Sequence, residues 1–306
     1  MTSPRIAVEP AGSRLDALTE AVLAGGGDIV PVEDAEALVW ADPGSPELLP
    51  GVVARGRSNL RWVQLPYAGV EPYLDVIDDE RLWTCGKGVY ATPVAEHVLA
   101  LTLAGFRGLN RYACASHWDR PRGQNLFGAR VTILGGGEIT SEVVRVFAPF
   151  GCHFTVVRRN PEPISGVTNV LGSEHLHNAL SEADLVVLAL ALTPETTGII
   201  GREELALLGT DTWIVNVARG RHIVTDDLVA ALQAGQLGGA ALDVTDPEPL
   251  PEGHPLWDIE NCLITPHVAN TPEMGLPLLA ARVTENVRRY AAGQELIGPV
   301  DPEAGY

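Results

Sequence analysis

Apolar positions along the chain gather into short continuous runs, separated by longer stretches with a three-to-four-residue rhythm. Such runs are buried parallel strands, and the rhythmic stretches are amphipathic helices that cover them. Residues 5–9 (RIAVE) read as a strand and 13–24 as a helix. Short strands follow at 29–32 and 37–41, then a helix or turn over 45–53, then an apolar strand at 61–65 that runs into PYAGV. Next come a strand at 82–85, the turn Gly86-Lys87-Gly88, and a long helix over 92–118 whose Pro93 suits a first turn. A second series begins at Arg130, with strands at 131–134, 153–157, 185–190, 213–217, 239–244 and 262–265. Helices lie between these strands, the first at 139–150, and a last helix, 272–292, packs back on the first domain. The pattern predicts an α/β protein. The expected arrangement is a doubly wound parallel-sheet (Rossmann) domain, 93–271, inserted in a smaller flavodoxin-like α/β domain built from 1–92 and 272–306. The helix at 92–118 is the expected crossing between them.

Composition adds boundaries rather than detail. A chain of 306 residues can fill two cores, and 46% hydrophobic with 20% charged residues is ordinary for a globular protein. The formal net charge of −18 argues against nucleic acid and against anionic membrane surfaces as partners. An anionic ligand would therefore need a locally positive pocket. No apolar run reaches membrane-span length, and the start MTSPRIAVEP lacks a signal peptide's apolar region. Cys85, Cys114, Cys152 and Cys262 sit singly in apolar segments without metal spacing, which reads as buried thiols in a reducing cytoplasm and no metal site.

Candidate chemistry begins at RVTILGGGEIT, 130–140. A strand, a glycine turn and a helix start make an anion-binding device, because free backbone N–H groups and the helix dipole both favour a phosphate. The spacing is G-x-G-x-x-T, from Gly135 and Gly137 to Thr140, where the dinucleotide fingerprint wants a third small residue. Alone it reads equally well as a plain turn. About twenty residues on, where an acidic residue would bond an adenosine ribose, stand Arg158 and Arg159. The pair reads as a fork for a 2′-phosphate, favouring NADP over NAD, or else as a solvated basic turn. Ligands of open parallel sheets bind beyond the carboxyl ends of the strands. There the later strands deliver Arg219, then Asp243 and Glu248, then His267. Singly, each has an ordinary reading as a surface arginine, a solvated carboxylate or a core histidine. Together on one rim they suit hydride transfer to a ketone. Imidazolium can protonate the developing oxyanion, a carboxylate favours the charged ring, and arginine can fork onto a substrate carboxylate.

With these segments the sequence strongly resembles the D-isomer-specific 2-hydroxyacid dehydrogenases, most of all their phosphoglycerate dehydrogenase and glyoxylate/hydroxypyruvate reductase branches. The resemblance covers most of the chain. It rests on YAGV (67–70), PVAEHVLAL (93–101), the glycine turn, LTPETTGIIG (192–201), IVNVARG (214–220), AALDVTDPEPL (240–250) and HPLW…NCLITPH (254–267). It implies a catalytic set of Arg219, Glu248 and His267, with Asp243 holding the nicotinamide amide. It implies that backbone N–H groups of Ala68, Gly69 and Val70 receive the substrate carboxylate; Tyr67 and Arg219 are further candidates for binding substrate. Cofactor contacts are expected from Gly135, Gly137, Glu138, Ile139, Thr140, Arg158, Arg159, Thr193, Ala218 and Asp243. The expected activity is NAD(P)H-dependent reduction of a small 2-keto acid, glyoxylate or hydroxypyruvate or a relative, to the D-2-hydroxy acid. A cytoplasmic homodimer, joined through the cofactor domain and the long helix, is the family's usual form. Two departures stand out. Thr140 replaces a glycine and is expected to push its helix outward and weaken pyrophosphate binding; Ala191 replaces a frequent proline. The rival reading is a cofactor-sensing or interaction protein that keeps the fold without robust turnover. A formate dehydrogenase-like chemistry is disfavoured by the active-site residues.

Overall fold

The computed structural model describes residues 3–56, 59–118 and 120–301. The chain divides into two compact units: the described residues up to Tyr90 together with those from Thr271, and Ala91–Asn270. Both are α/β, each on a wholly parallel sheet.

In the first unit the strands are β1 (Arg5–Glu9), β2 (Asp28–Ile29), β3 (Ala37–Trp40), β4 (Trp62–Gln64) and β5 (Leu82–Thr84), in the order β2-β1-β3-β4-β5. The apolar run ALVW of β3 is buried throughout, as expected of a strand covered on both faces. Helices α1 (Leu15–Ala24) and α2 (Leu49–Gly56) supply part of that cover. The C-terminal helix, Pro272–Ala291, packs beside α1, and Val287 approaches so closely that a Cβ on Gly25 would lie 2.6 Å from its own. A buried polar chain ties this helix to the sheet. Asn286 Nδ2 donates to Gln64 Oε1 (2.8 Å), Thr84 Oγ1 donates to the same oxygen (2.8 Å), and Trp62 Nε1 donates to Thr84 Oγ1 (2.8 Å). Every donor in that chain finds an acceptor, as burial demands. The strand expected at 29–32 is only Asp28–Ile29; Pro31 ends it and Val32–Asp34 forms a 3-10 turn.

The second unit opens with α3 (Ala91–Phe106), followed by α4 (Leu109–Ala113). A single helix over 92–118 is therefore not what forms. Gly108, at φ +58°, turns the chain left-handed and ends the first helix. Seven strands follow: β6 (Arg130–Leu134), β7 (His153–Val157), β8 (Asn169–Leu171), β9 (Leu185–Leu188), β10 (Trp213–Asn216), β11 (Gly239–Leu242) and β12 (Cys262–Ile264). Their order is β12-β11-β10-β9-β6-β7-β8, so strand order reverses between β6 and β9. That reversal is the switch point at which doubly wound sheets bind nucleotides. Helices α5 (Glu138–Phe147), α6 (Leu176–Ser181), α7 (Arg202–Ala206) and α8 (Thr225–Gln233) lie between strands. The short edge strand β8 was not expected, because a half-buried NVL carries no periodicity. Of the cysteines, Cys85 is buried, Cys152 and Cys262 are half-buried, and Cys114 is exposed just past α4, against the expectation that all four lie inside. Burial pushes the Cys262 thiol up to about 12. Among the described residues no helix is long and apolar enough to cross a membrane, and no three His, Cys, Asp or Glu side chains cluster to hold a metal.

Candidate active site

The glycine turn sits at the switch point. Gly135 adopts φ +105°, and a Cβ there would stand 2.2 Å from the Ala189 carbonyl oxygen beyond β9, so the turn closes against its neighbour only as glycine. Gly137 caps α5 in extended conformation, and a Cβ on it would meet nothing within 4 Å. Open space over a glycine at the N-terminus of a ten-residue helix is what a pyrophosphate needs to approach the N–H groups. A dinucleotide fits this cradle. Glu138 and Ile139 open the helix itself. Thr140 departs from expectation. Its side chain does not stand as an obstacle; it is fully buried, and its hydroxyl donates to the Gly135 carbonyl at 2.8 Å, bracing the turn from behind.

Arg158 follows β7, with its N–H bonded to Leu171 O (3.0 Å) and its side chain laid against Gly136, where a Cβ would be 2.6 Å from Arg158 Cδ. A guanidinium is thereby set beside the glycine turn. The Thr193 hydroxyl chiefly, then the backbone N–H of Glu195 itself and, to a lesser degree, the charge of Arg159 hold the Glu195 carboxyl below its ordinary value. Thr193 is thus part of a folded loop, its N–H bonded to Thr196 Oγ1 and its hydroxyl to Glu195 Oε2, both at 2.8 Å. The fully buried His222 sits within this loop, with Nδ1 3.0 Å from Thr196 O and Nε2 3.2 Å from Leu190 O.

At the end of β10, Asn216 wraps the turn that carries Arg219. Its Nδ2 donates to Arg219 O (2.9 Å) and its Oδ1 accepts from Ala218 N (3.0 Å), while Arg219 Nη1 donates to Ala218 O (2.8 Å). Gly220 then presses on the next loop, where a Cβ would stand 2.0 Å from the carbonyl carbon and oxygen of Thr245. That loop leads to Glu248, whose Oε1 lies 2.6 Å from His267 Nδ1. Both side chains are about half exposed, at 41% and 55%. The pairing fixes the tautomer, with Nδ1–H on the carboxylate and Nε2 left to face a ligand. His267 is also the one non-glycine with positive φ, +53°, among the described residues. Its N–H bonds to Asp243 O (2.8 Å) and Thr265 O (2.9 Å), which hold it in this sparsely populated conformation.

Asp243 itself is only 2% exposed. Its Oδ1 accepts from Thr265 Oγ1 (2.6 Å) and Val268 N (2.9 Å), its Oδ2 from Ala269 N (3.0 Å), and His97 Nε2 stands 3.3 Å from Oδ1. Burial alone would raise its pKa, but hydrogen bonds from His97, Thr265 and the two backbone N–H groups outweigh that and hold it below the ordinary carboxylate range.

The turn 67–70 belongs to the other unit. Tyr67 is 38% exposed, Ala68 is exposed, Gly69 half-buried and Val70 buried. Arg14 donates to the Tyr67 hydroxyl (2.8 Å) with its guanidinium over the ring, and Tyr90, its own hydroxyl bonded to Pro66 O (2.5 Å), packs edge-on against Tyr67. Arg14 and His222 have no place in the sequence reading, and His97 and Asn216 appear there only inside quoted segments, without a role. Asn216 alone carried a usable signal, as a polar residue closing a wholly buried strand.

A doubly wound sheet with such a turn at its switch point defines a dinucleotide-binding α/β protein. The profile of the D-isomer specific 2-hydroxyacid dehydrogenase, NAD binding domain, matches residues 97–269, within the second unit. A glyoxylate/hydroxypyruvate reductase A from Yersinia enterocolitica is 33% identical over 92% of this chain and 90% of its own. The crystal structure of a D-isomer specific 2-hydroxyacid dehydrogenase from Xanthobacter autotrophicus, in complex with NADPH and MES, superimposes with a TM-score of 0.86 at 29% identity, covering 99% of this chain and all of that one. An NADPH-dependent glyoxylate/hydroxypyruvate reductase from Sinorhizobium meliloti, in complex with NADP and sulfate, gives 0.81 at 26% identity, covering 99% and 100%. The chain belongs to the D-isomer specific 2-hydroxyacid dehydrogenase family, a family of oxidoreductases.

Proposed function

We propose that this protein reduces small 2-keto acids of the glyoxylate and hydroxypyruvate kind to D-2-hydroxy acids with NADPH, accepting NADH less well. The observation that carries the reading is the 2.6 Å pair of His267 Nδ1 and Glu248 Oε1 beyond β11 and β12, beside the strand that ends toward Arg219. A bound reduced nicotinamide supplies the hydride. His267 Nε2 delivers the proton to the ketone oxygen as negative charge develops there. Glu248 orients the ring and favours its charged form, and Arg219 binds the substrate carboxylate and polarises the carbonyl. The second unit serves as cofactor domain, with Gly135, Gly137, Glu138, Ile139 and the Thr140 backbone at the pyrophosphate, Arg158 and Arg159 at the 2′-phosphate, and Thr193, Ala218 and Asp243 along the rest. The first unit serves as substrate domain, through Tyr67 and the N–H groups of Ala68, Gly69 and Val70. The glycine cradle and the Arg158 side chain against Gly136 support the NADP assignment, as do the NADP(H)-bound relatives.

We further propose a cytoplasmic homodimer; the exposed Leu109, Trp118 and Phe127 along the segment after α3 support the dimer, which light scattering tests. The decisive experiment is a panel of glyoxylate, hydroxypyruvate, pyruvate and longer 2-keto acids against both cofactors, with His267→Ala alongside. Turnover should fall by several orders of magnitude in that variant while NADPH still binds. Undiminished turnover overturns the role of His267, and failure of the wild-type protein across the whole panel overturns the activity.

A further inference from the structure

We propose that His97 is a positioning residue for His267, acting through Thr265 and the buried carboxylate of Asp243. The inference rests on His267 being the proton donor and concerns how that histidine is held in place.

The path can be followed bond by bond. Thr265 Oγ1 lies 2.6 Å from Asp243 Oδ1, so the hydroxyl hydrogen is spent on the carboxylate and its oxygen offers only lone pairs elsewhere. His97 Nε2 stands 3.0 Å from that oxygen and 3.3 Å from Asp243 Oδ1. A bare ring nitrogen would face two acceptors there. Nε2 must therefore carry a proton, and His97 donates into the cluster. Asp243 is 2% exposed and has no solvent to stabilise its charge. Its donors are His97, the Thr265 hydroxyl and the N–H groups of Val268 and Ala269.

Three of these donors lie on the five-residue stretch that contains His267. Thr265 precedes it by two positions, and Val268 and Ala269 follow it directly. The stretch TPHVA is thus folded around one carboxylate, and His267 N closes the wrap on Asp243 O at 2.8 Å. The φ of +53° at His267 is the geometric result of that wrap. His97 is the one donor here from outside the loop. It comes from the second turn of α3, 168 residues away in sequence from Thr265, and fixes the cluster to a rigid sixteen-residue helix. Without it, the carboxylate and the loop keep their mutual bonds and their backbone ties to the sheet, Asp243 N on Asn216 O (2.9 Å) and Thr265 N on Leu242 O (3.0 Å), but lose the side-chain tie to α3. His267 Nε2 then sits at a less defined distance from the ketone oxygen.

The test is a double-mutant cycle between His97→Leu and His267→Ala, with His97→Gln as the conservative variant, since a glutamine amide returns an N–H donor. The readouts are kcat and KM for hydroxypyruvate, and the NADPH dissociation constant by fluorescence. A misplacement near 1 Å lowers kcat up to about 100-fold. His97→Leu should fall by about 10- to 100-fold in kcat with the NADPH dissociation constant within about twofold, and His97→Gln should recover most of the loss. In the His267→Ala background, His97→Leu should change the residual rate no further, because the two residues act as one unit. Should His97→Leu fold poorly, Thr265→Val removes the same relay and carries the same expectation. Wild-type kcat in His97→Leu, or an additive loss in the double variant, overturns the proposal. If His267→Ala alone keeps full turnover, it is the proton-donor reading that fails.

Discussion

Gly220 offers the sharpest test of how the site is held together. It follows Arg219 directly, and a Cβ built on it would stand 2.0 Å from the carbonyl carbon and oxygen of Thr245 and 2.5 Å from Asp246 N. Ordinary contact begins at 3.4 Å, so Gly220→Ala requires the two backbones to part by about 1.4 Å. Its φ is not among the left-handed glycine values, so the objection is one of space alone. The opposing loop cannot drift freely, because Asp246 O is held by the Thr225 hydroxyl at 2.7 Å and Thr245 Oγ1 by Pro247 O at 2.9 Å. The displacement must open a gap between Arg219, on one side of the contact, and Glu248, two residues beyond Asp246 on the other. Overpacking of this kind costs about 1–3 kcal/mol. For a unit of this size that lowers the melting temperature by roughly 3–10 °C. A misplacement near 1 Å within a catalytic set costs about 100-fold in rate. We expect kcat/KM for NADPH-dependent reduction of hydroxypyruvate to fall by about that factor, with a lower transition in calorimetry. Near-wild-type values of both would show that the Arg219 turn and the Glu248 loop do not constrain each other.

The same change at Gly137 should behave oppositely: with nothing within 4 Å of the added Cβ, Gly137→Ala leaves the melting temperature unchanged but raises the KM for NADPH about tenfold or more, as a methyl group fills the pyrophosphate cradle. For Arg158→Asp, loss of charge-assisted bonds worth about 1.5–3 kcal/mol should weaken NADPH binding by about 10- to 100-fold and leave NADH nearly unaffected, as fluorescence titration would show. A clear NADH preference in the unmodified protein would contradict that assignment. At His267, φ +53° predicts that His267→Gly, though inactive, melts higher than His267→Ala by an amount equivalent to about 1 kcal/mol, since only glycine adopts that conformation without cost. Equal stability of the two would mean the turn relaxes once the imidazole is gone.

Much of the fold was legible because parallel strands covered on both faces write themselves as plain apolar runs. LVVL at 185–188 and ALVW at 37–40 are buried at every position and lie where the pattern puts them. The signal faded where that condition lapsed, as in the edge strand at 169–171 and in the helix that stops short of a left-handed Gly108. The site was legible through its motifs, which told which residues to examine but not how they are held. Thr140 shows the limit well. Its bulk could be read from the chain, whereas the direction of its hydroxyl, inward to Gly135 O, depends on the packed turn. The cluster of His97, Thr265 and Asp243 was likewise out of reach, since no local rule links a helix position to a loop so distant in sequence.

The first sheet is completed only by the end of the chain. Residues from Thr271 onward give it the helix against Gly25, the Asn286 amide that donates to Gln64, and Pro299, which bridges to Thr84. The intervening 91–270 hold a hydrophobic core built from their own residues, Leu134 to Leu256. During synthesis the inner unit can therefore mature first, while β1 to β5 wait with part of their apolar surface uncovered until the final helix leaves the ribosome. A stop codon ahead of Pro272 would spare the inner unit and strand the outer one, making it the point at which chaperones and proteases first engage this chain.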